Sequence, residues 1–142
     1  MANGVQNKAI LAPLLCAMQD FEANQVQSLL HELMAHDAVA HMCLPFNDIT
    51  GPKALYETCY EPLLRAIPDL ERRDFIVMSG TSEGGHEWLG GAGHYVGTFV
   101  APWLDIRPTG HMTHMRLHEF YRFEKGKIVE IQAIWDIPEV ML

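Results

Sequence analysis

The stretch from Met115 to Asp136 constrains this chain most, because it reads as a β-hairpin turning at Glu124-Lys125-Gly126. A three-residue loop ending in Gly fits a type I turn followed by a left-handed residue, the G1-bulge hairpin. Strand side chains alternate between two faces. One face then carries Met115, Leu117, Glu119, Tyr121 and Phe123 on the first arm, with Val129, Ile131, Ala133 and Trp135 on the second. The other carries His114, Arg116, His118, Phe120 and Arg122, with Ile128, Glu130, Gln132, Ile134 and Asp136. The first face is apolar except at Glu119. A carboxylate among apolar groups is costly unless it is paired, neutralised or used. Three roles fit: an ion pair with an Arg or His donor from the sheet edge, a proton-transfer group whose pKa is raised by apolar surroundings, or a water-touching group at a subunit interface.

The rest of the chain is read around that hairpin. With 142 residues it forms one domain, spanning 1–142, long enough to bury a real core. A net charge of −8 without any basic run argues against nucleic acid or an anionic membrane as partner. The apolar run from Ala9 to Met18 is too short to span a bilayer and lacks a small-x-small cleavage pattern, so a packed first helix is expected. Cys16, Cys43 and Cys59 are odd in number and widely spaced. They predict packing residues in a reducing cytoplasm, with no disulfide framework and no cysteine metal site.

Leu11, Leu14, Leu15 and Met18 recur at helical spacing, with Pro13 expected in a first turn. Asp20 has the chemistry of an N-cap for a second amphipathic helix through Val26, Leu30 and Leu33, ending near His36-Asp37. Ala38 to Leu44 predicts a short strand and Phe46 to Thr50 a loop. Thr50-Gly51-Pro52-Lys53 opens a third helix, kinked or restarted at Pro62 and stopped by Pro68-Asp69. Phe75 to Met78, His86 to Phe99 and the hairpin arms then give four antiparallel strands. Helices first and strands after make an α+β pattern.

The chemistry-bearing residues form few patterns. His31 and His36 resemble a zinc motif, but five residues put them about 140° apart on a helix, too far to grip one ion. His114 and His118 share a strand face with Arg116 and Arg122, which disfavours a metal cation; no metal is expected. His41, on the short strand, is a candidate for a cavity mouth. The strand 86–99 holds Gly90, Gly91, Gly93 and Gly97, and interior Gly marks bends or the close approach of another group. Its glycine-rich side, with Tyr95 and Phe99, is the expected pocket wall, and Trp88 is a further candidate beside it.

With these residues placed, the chain resembles the SnoaL-like polyketide cyclases of the nuclear-transport-factor-2-like superfamily, over almost its whole length. The resemblance rests on Thr50-Gly51-Pro52-Lys53-Ala54, on Leu63 through Leu70, on Gly93-His94-Tyr95-Val96-Gly97-Thr98-Phe99, on Ile106 through Gly110 and on Phe123 through Glu130. It implies a cone, a curved antiparallel sheet wrapped around three N-terminal helices, with a deep apolar pocket and a homodimeric assembly. It also implies acid/base work on an enolisable carbonyl with no organic cofactor or metal. The family's acid/base Asp stands five residues after the Ile of the Gly-Lys-Ile turn, and Ala133 occupies that place here. A family His, nine residues before the same Ile, is replaced by Glu119. Asp136 matches a second, downstream acidic position on the opposite face.

These readings converge on a pocket for a small apolar molecule. Glu119 and Asp136 are the catalytic candidates. Tyr95, Phe99, Leu117, Tyr121, Ile131, Ala133, Trp135, His41 and Trp88 are the lining candidates. A cofactor-free cyclase- or isomerase-type enzyme is expected, with a non-catalytic binder as the alternative that Ala133 suggests.

Overall fold

The computed structural model describes residues 2–142. Its first helix, α1 (Ala2–Gln19), begins a full three turns before Pro13 and runs through it. Pro13 faces outward, so the carbonyl it cannot satisfy turns to water instead of the core. Leu11, Leu14 and Met18 lie on the buried stripe as their spacing predicts, with Ala17 beside them, while Leu15 is only partly buried. Helix α2 (Ala23–Leu33) is capped by Glu22 and not by Asp20: the Glu22 carboxylate accepts from the Gln25 backbone N–H at 2.7 Å. The helix stops at Leu33, and strand β1 (Met34–His41) starts at once. The sequence places both boundaries several residues later.

Strand β2 (Asp48–Thr50), a loop by its composition, pairs antiparallel with β1. Helix α3 (Pro52–Leu55) opens at Gly51, whose φ of 87° suits glycine. A widened π-helical turn, Tyr56–Tyr60, leads into α4 (Glu61–Ala66). In it the Glu61 N–H reaches back to the Tyr56 carbonyl. Pro62 supplies no N–H of its own, so the extra residue is absorbed just before it.

Four long strands follow: β3 (Glu71–Thr81), β4 (Glu87–Thr98), β5 (Met112–Glu124) and β6 (Lys127–Trp135). The sheet has six strands in the order β2-β1-β6-β5-β4-β3. It is curved, open and mixed, because β1 runs parallel to β6; the wholly antiparallel sheet expected from the hairpins lacks this crossover. A short 3-10 turn, Ile137–Met141, ends the chain.

The hairpin at the centre closes with two residues, Lys125 and Gly126, at φ 51° and 77° between the paired Glu124 and Lys127. This is the I′-type geometry that matches strand twist, in place of the expected three-residue loop. A bulge sits instead inside β6, where Arg122 pairs with Glu130 but Phe123 with Ile128. Val129 is the unpaired residue, so Ile128 turns into the core and Val129 to the half-exposed side. Beyond the bulge the alternation holds: Ile131, Ala133 and Trp135 point in, as do Met115, Leu117, Glu119, Tyr121 and Phe123.

Candidate functional site: a buried carboxylate and its donors

Glu119 is 1% exposed and sits on the concave face of β5, paired across the sheet with Gly91 on β4 and Ala133 on β6. Four donors converge on it. Its Oε1 accepts from Arg72 Nη1 at 2.7 Å and from the Tyr121 hydroxyl at 2.5 Å. Its Oε2 accepts from Trp135 Nε1 at 2.8 Å and from the Tyr95 hydroxyl at 3.0 Å. Alternation on β5, β6 and β4 delivers Tyr121, Trp135 and Tyr95 to the same hollow face. Arg72 comes from the edge strand β3, where it pairs laterally with Tyr95. The guanidinium is itself buried, lies 5.7 Å from the Tyr95 ring centre, and donates through Nε to both oxygens of Asp74.

The electrostatics follow from that geometry. Burial alone would push the Glu119 carboxyl up, but the Arg72 charge and the hydrogen bonds from Tyr121, Trp135 and Arg72 outweigh it and hold the group below the usual carboxylate range. Of the three roles open to Glu119, the ion pair with an Arg from the sheet edge is the one present, and the raised pKa of the proton-transfer role is not, because a cation among the apolar groups wins. Burial, reinforced by the Glu119 charge, pushes the Tyr60, Tyr95 and Tyr121 phenols up, so they stay protonated donors. A carboxylate offers about four lone-pair sites, and here all are filled.

The glycine-rich side of β4 is not an empty wall. A side chain at Gly91 would stand 1.8 Å from the Ile76 carbonyl oxygen, and one at Gly97 would stand 2.3 Å from the Ile67 side chain. The space those glycines leave is taken by the β3 backbone, which bulges at Phe75, and by Ile67. Above the carboxylate, Trp135 is ringed by aromatics. Tyr95 meets it edge-on at 5.3 Å, Tyr60 lies at 5.7 Å, Phe46 at 5.8 Å and Trp103 at 6.5 Å. Two clefts of the surface are lined by neither Glu119 nor Tyr95. One of about 390 Å3 is bounded by His31, His36 and Gly51. Another, of about 310 Å3, is bounded by Arg116, His118, Ile134 and Asp136 and reaches Trp135.

The structure thus gathers Tyr95, Leu117, Tyr121, Ile131, Ala133 and Trp135 on the face of Glu119, with Phe99 buried just past the end of β4. Three candidates fall outside. Asp136 is exposed, one residue past the inward Trp135, and its N–H donates to the Arg116 carbonyl. His41 lies on the outward face of β1, with Nδ1 2.7 Å from Asp48 and Nε2 3.7 Å from Glu130. Trp88 lies on the convex face of β4 beside Gly80 and Arg122. Strand parity turns each of them away from the hollow. Arg72, Tyr60 and Phe46 were missed. For Arg72 a signal existed: a buried Glu demands a buried cation, and Leu70, Arg72 and Asp74 alternate just ahead of the apolar run that marks β3. Among the described residues no group of three or more His, Cys, Asp or Glu could hold a metal ion, and no helix is long and apolar enough to cross a membrane.

Comparison with known proteins agrees with this architecture. A family model described as SnoaL-like polyketide cyclase matches residues 13–141. A search of curated proteins gave no match. Among solved structures, IdmH from Streptomyces antibioticus, a candidate polyketide cyclase, is 20% identical, with 96% of each chain covered and a TM-score of 0.75. A candidate SnoaL-like polyketide cyclase from Jannaschia sp. CCS1 is 17% identical over 97% of this chain and 93% of its own, with a TM-score of 0.76. AclR from Streptomyces galilaeus, a candidate hydroxylase, is 18% identical over 96% of this chain and 83% of its own, also at 0.76. At these identities the likeness is one of fold.

Proposed function

This chain belongs to the SnoaL-like polyketide cyclase family, and we propose that it binds a small apolar carbonyl compound at the aromatic end of its curved sheet without using Glu119 for proton transfer. The observation that carries this reading is the occupancy of the Glu119 carboxylate, whose two oxygens already accept from Arg72, Tyr121, Tyr95 and Trp135. An ionised, fully coordinated carboxylate has no proton to give and little basicity to offer. The residue facing it across the hairpin, at the place of the family acid, is Ala133. Bound aromatics would stack against Trp135, Trp103 and Phe46, the usual make-up of an apolar ligand site.

The test compares binding with turnover. The purified chain is expected to retain or take up an aromatic ketone in native mass spectrometry and to leave linear poly-β-ketone substrates uncyclised. Ala133→Asp is expected to introduce measurable aldol-type ring closure. Wild-type cyclisation that disappears in a folded Glu119→Gln variant would sink the reading and restore Glu119 as the catalytic group.

We propose in addition that a second copy of the chain covers the convex face of the sheet. Ile76, Met78, Phe120 and Ile134 stand exposed on it in adjoining cross-strand rows. Arg73, His94 and Arg116 flank that apolar stripe on one side, and Arg122, ion-paired with Glu130 and Glu124, on the other. A two-fold axis in the plane of the stripe sets the apolar rows of the two copies against each other. The free thiols of Cys16, Cys43 and Cys59 suit a reducing compartment such as the cytoplasm.

A further inference from the structure

Among the described residues, two indole N–H groups are sealed from solvent with no acceptor in reach, those of Trp88 and Trp103. A buried donor without a partner forfeits a hydrogen bond and is rare in native proteins. Trp103 is the one on the hollow side of the sheet. It is 2% exposed, with its ring 6.5 Å from Trp135 and 6.4 Å from Phe46. A tight turn holds it there: Trp103 and Ile106 exchange backbone hydrogen bonds of 3.1 and 2.8 Å. The two residues between them, Leu104 and Asp105, adopt φ of 51° and 63°. A left-handed Leu is strained, and such strain persists where the surroundings impose one placement on a side chain. Phe46, opposite, is only partly buried and comes from the loop between β1 and β2. Of the three rings it loses least by moving.

Resting on the reading that this end of the sheet takes a small apolar molecule, we infer that Trp103 selects for a carbonyl. Its indole N–H donates to a ketone or quinone oxygen on a planar ligand that enters between Trp103 and Phe46 and lies against Trp135. Indole is a donor only, so it rewards an acceptor. A hydroxyl would bring a proton for which the Phe and Trp side chains around it hold no acceptor. The polar demand is therefore a single oxygen, set in an otherwise apolar outline.

A matched pair of probes isolates that demand: 2-acetylnaphthalene and 2-ethylnaphthalene, titrated into the full chain by calorimetry. The wild type is expected to bind the ketone about fivefold to tenfold tighter than the hydrocarbon, the effect of one hydrogen bond. Trp103→Phe should erase the preference while weakening both probes alike through the lost indole stacking area, with the thermal midpoint near its wild-type value. Should Trp103→Phe prove unstable, 3-benzothienylalanine at position 103 keeps the ring outline without the N–H and gives the same readout. Trp88→Phe, on the convex face, should keep the preference. Equal affinities in the wild type, or a preference that survives the loss of the Trp103 N–H, overturn the role of Trp103 while ligand binding itself stands. Binding of neither probe overturns both.

Discussion

Removing the charge from Glu119 would leave the Arg72 guanidinium in the core with Asp74 as its remaining counter-charge. Breaking a buried pair by one partner typically costs about 3–5 kcal/mol, and Glu119→Gln is expected to lose the lower part of that range because Asp74 stays. Urea denaturation at neutral pH measures it. The pH dependence has a definite sign. A carboxyl whose native pKa is lowered contributes stability that is full above the ordinary carboxylate range and fades as the pH falls through the native value. The wild type should therefore lose stability on acidification more steeply than Glu119→Gln, the two curves converging at low pH. At this scale the sequence was legible in one direction only. Parity on the hairpin put Glu119, Tyr121, Ala133 and Trp135 on one face, but parity cannot tell whether a buried acid is protonated or paired. That depended on Arg72, which lies 47 residues away along the chain and is brought in by an edge strand that begins in a charged run.

Strands carry the next level. Gly91 and Gly93 read as pocket wall, yet their missing side chains admit the carbonyls of Ile76 and Arg73. That close approach lets β3 bend over β4 and aim Arg72 and Asp74 inward around the bulge at Phe75. Gly91→Ala is expected to force β3 away from β4, lowering the thermal midpoint by about 5 °C or more and weakening amide-exchange protection along β3 first. The Val129 bulge was invisible for a related reason. One added residue changes the pairing register without changing the apolar count, so Ile128 and Val129 exchange faces while either would fit the core. The β1–β6 parallel contact was beyond reach of local pattern, since it joins segments at opposite ends of the chain.

For the molecule as a whole, the pattern of helices before strands and the order of the family-like segments made the architecture readable, while the assembly rests on the convex face. Phe120 lies flat over Gly90, where a side chain would come within 2.2 Å of its ring, so the exposed stripe is smooth enough to meet a copy of itself. A dimer is expected in light scattering at micromolar concentration. The pair Phe120→Glu and Ile134→Glu should give a folded monomer, because both side chains are exposed and neither touches the Glu119 cluster. An unchanged mass for that variant would show that the copies meet elsewhere.

The position of Arg72 on the outermost strand has one more effect. Sheet margins usually fray or recruit foreign strands, but this margin carries the guanidinium that, among the described residues, pairs with the interior acid. Peeling it back would strand a bare negative charge in oil, so the rim that ought to be loosest is fastened from within.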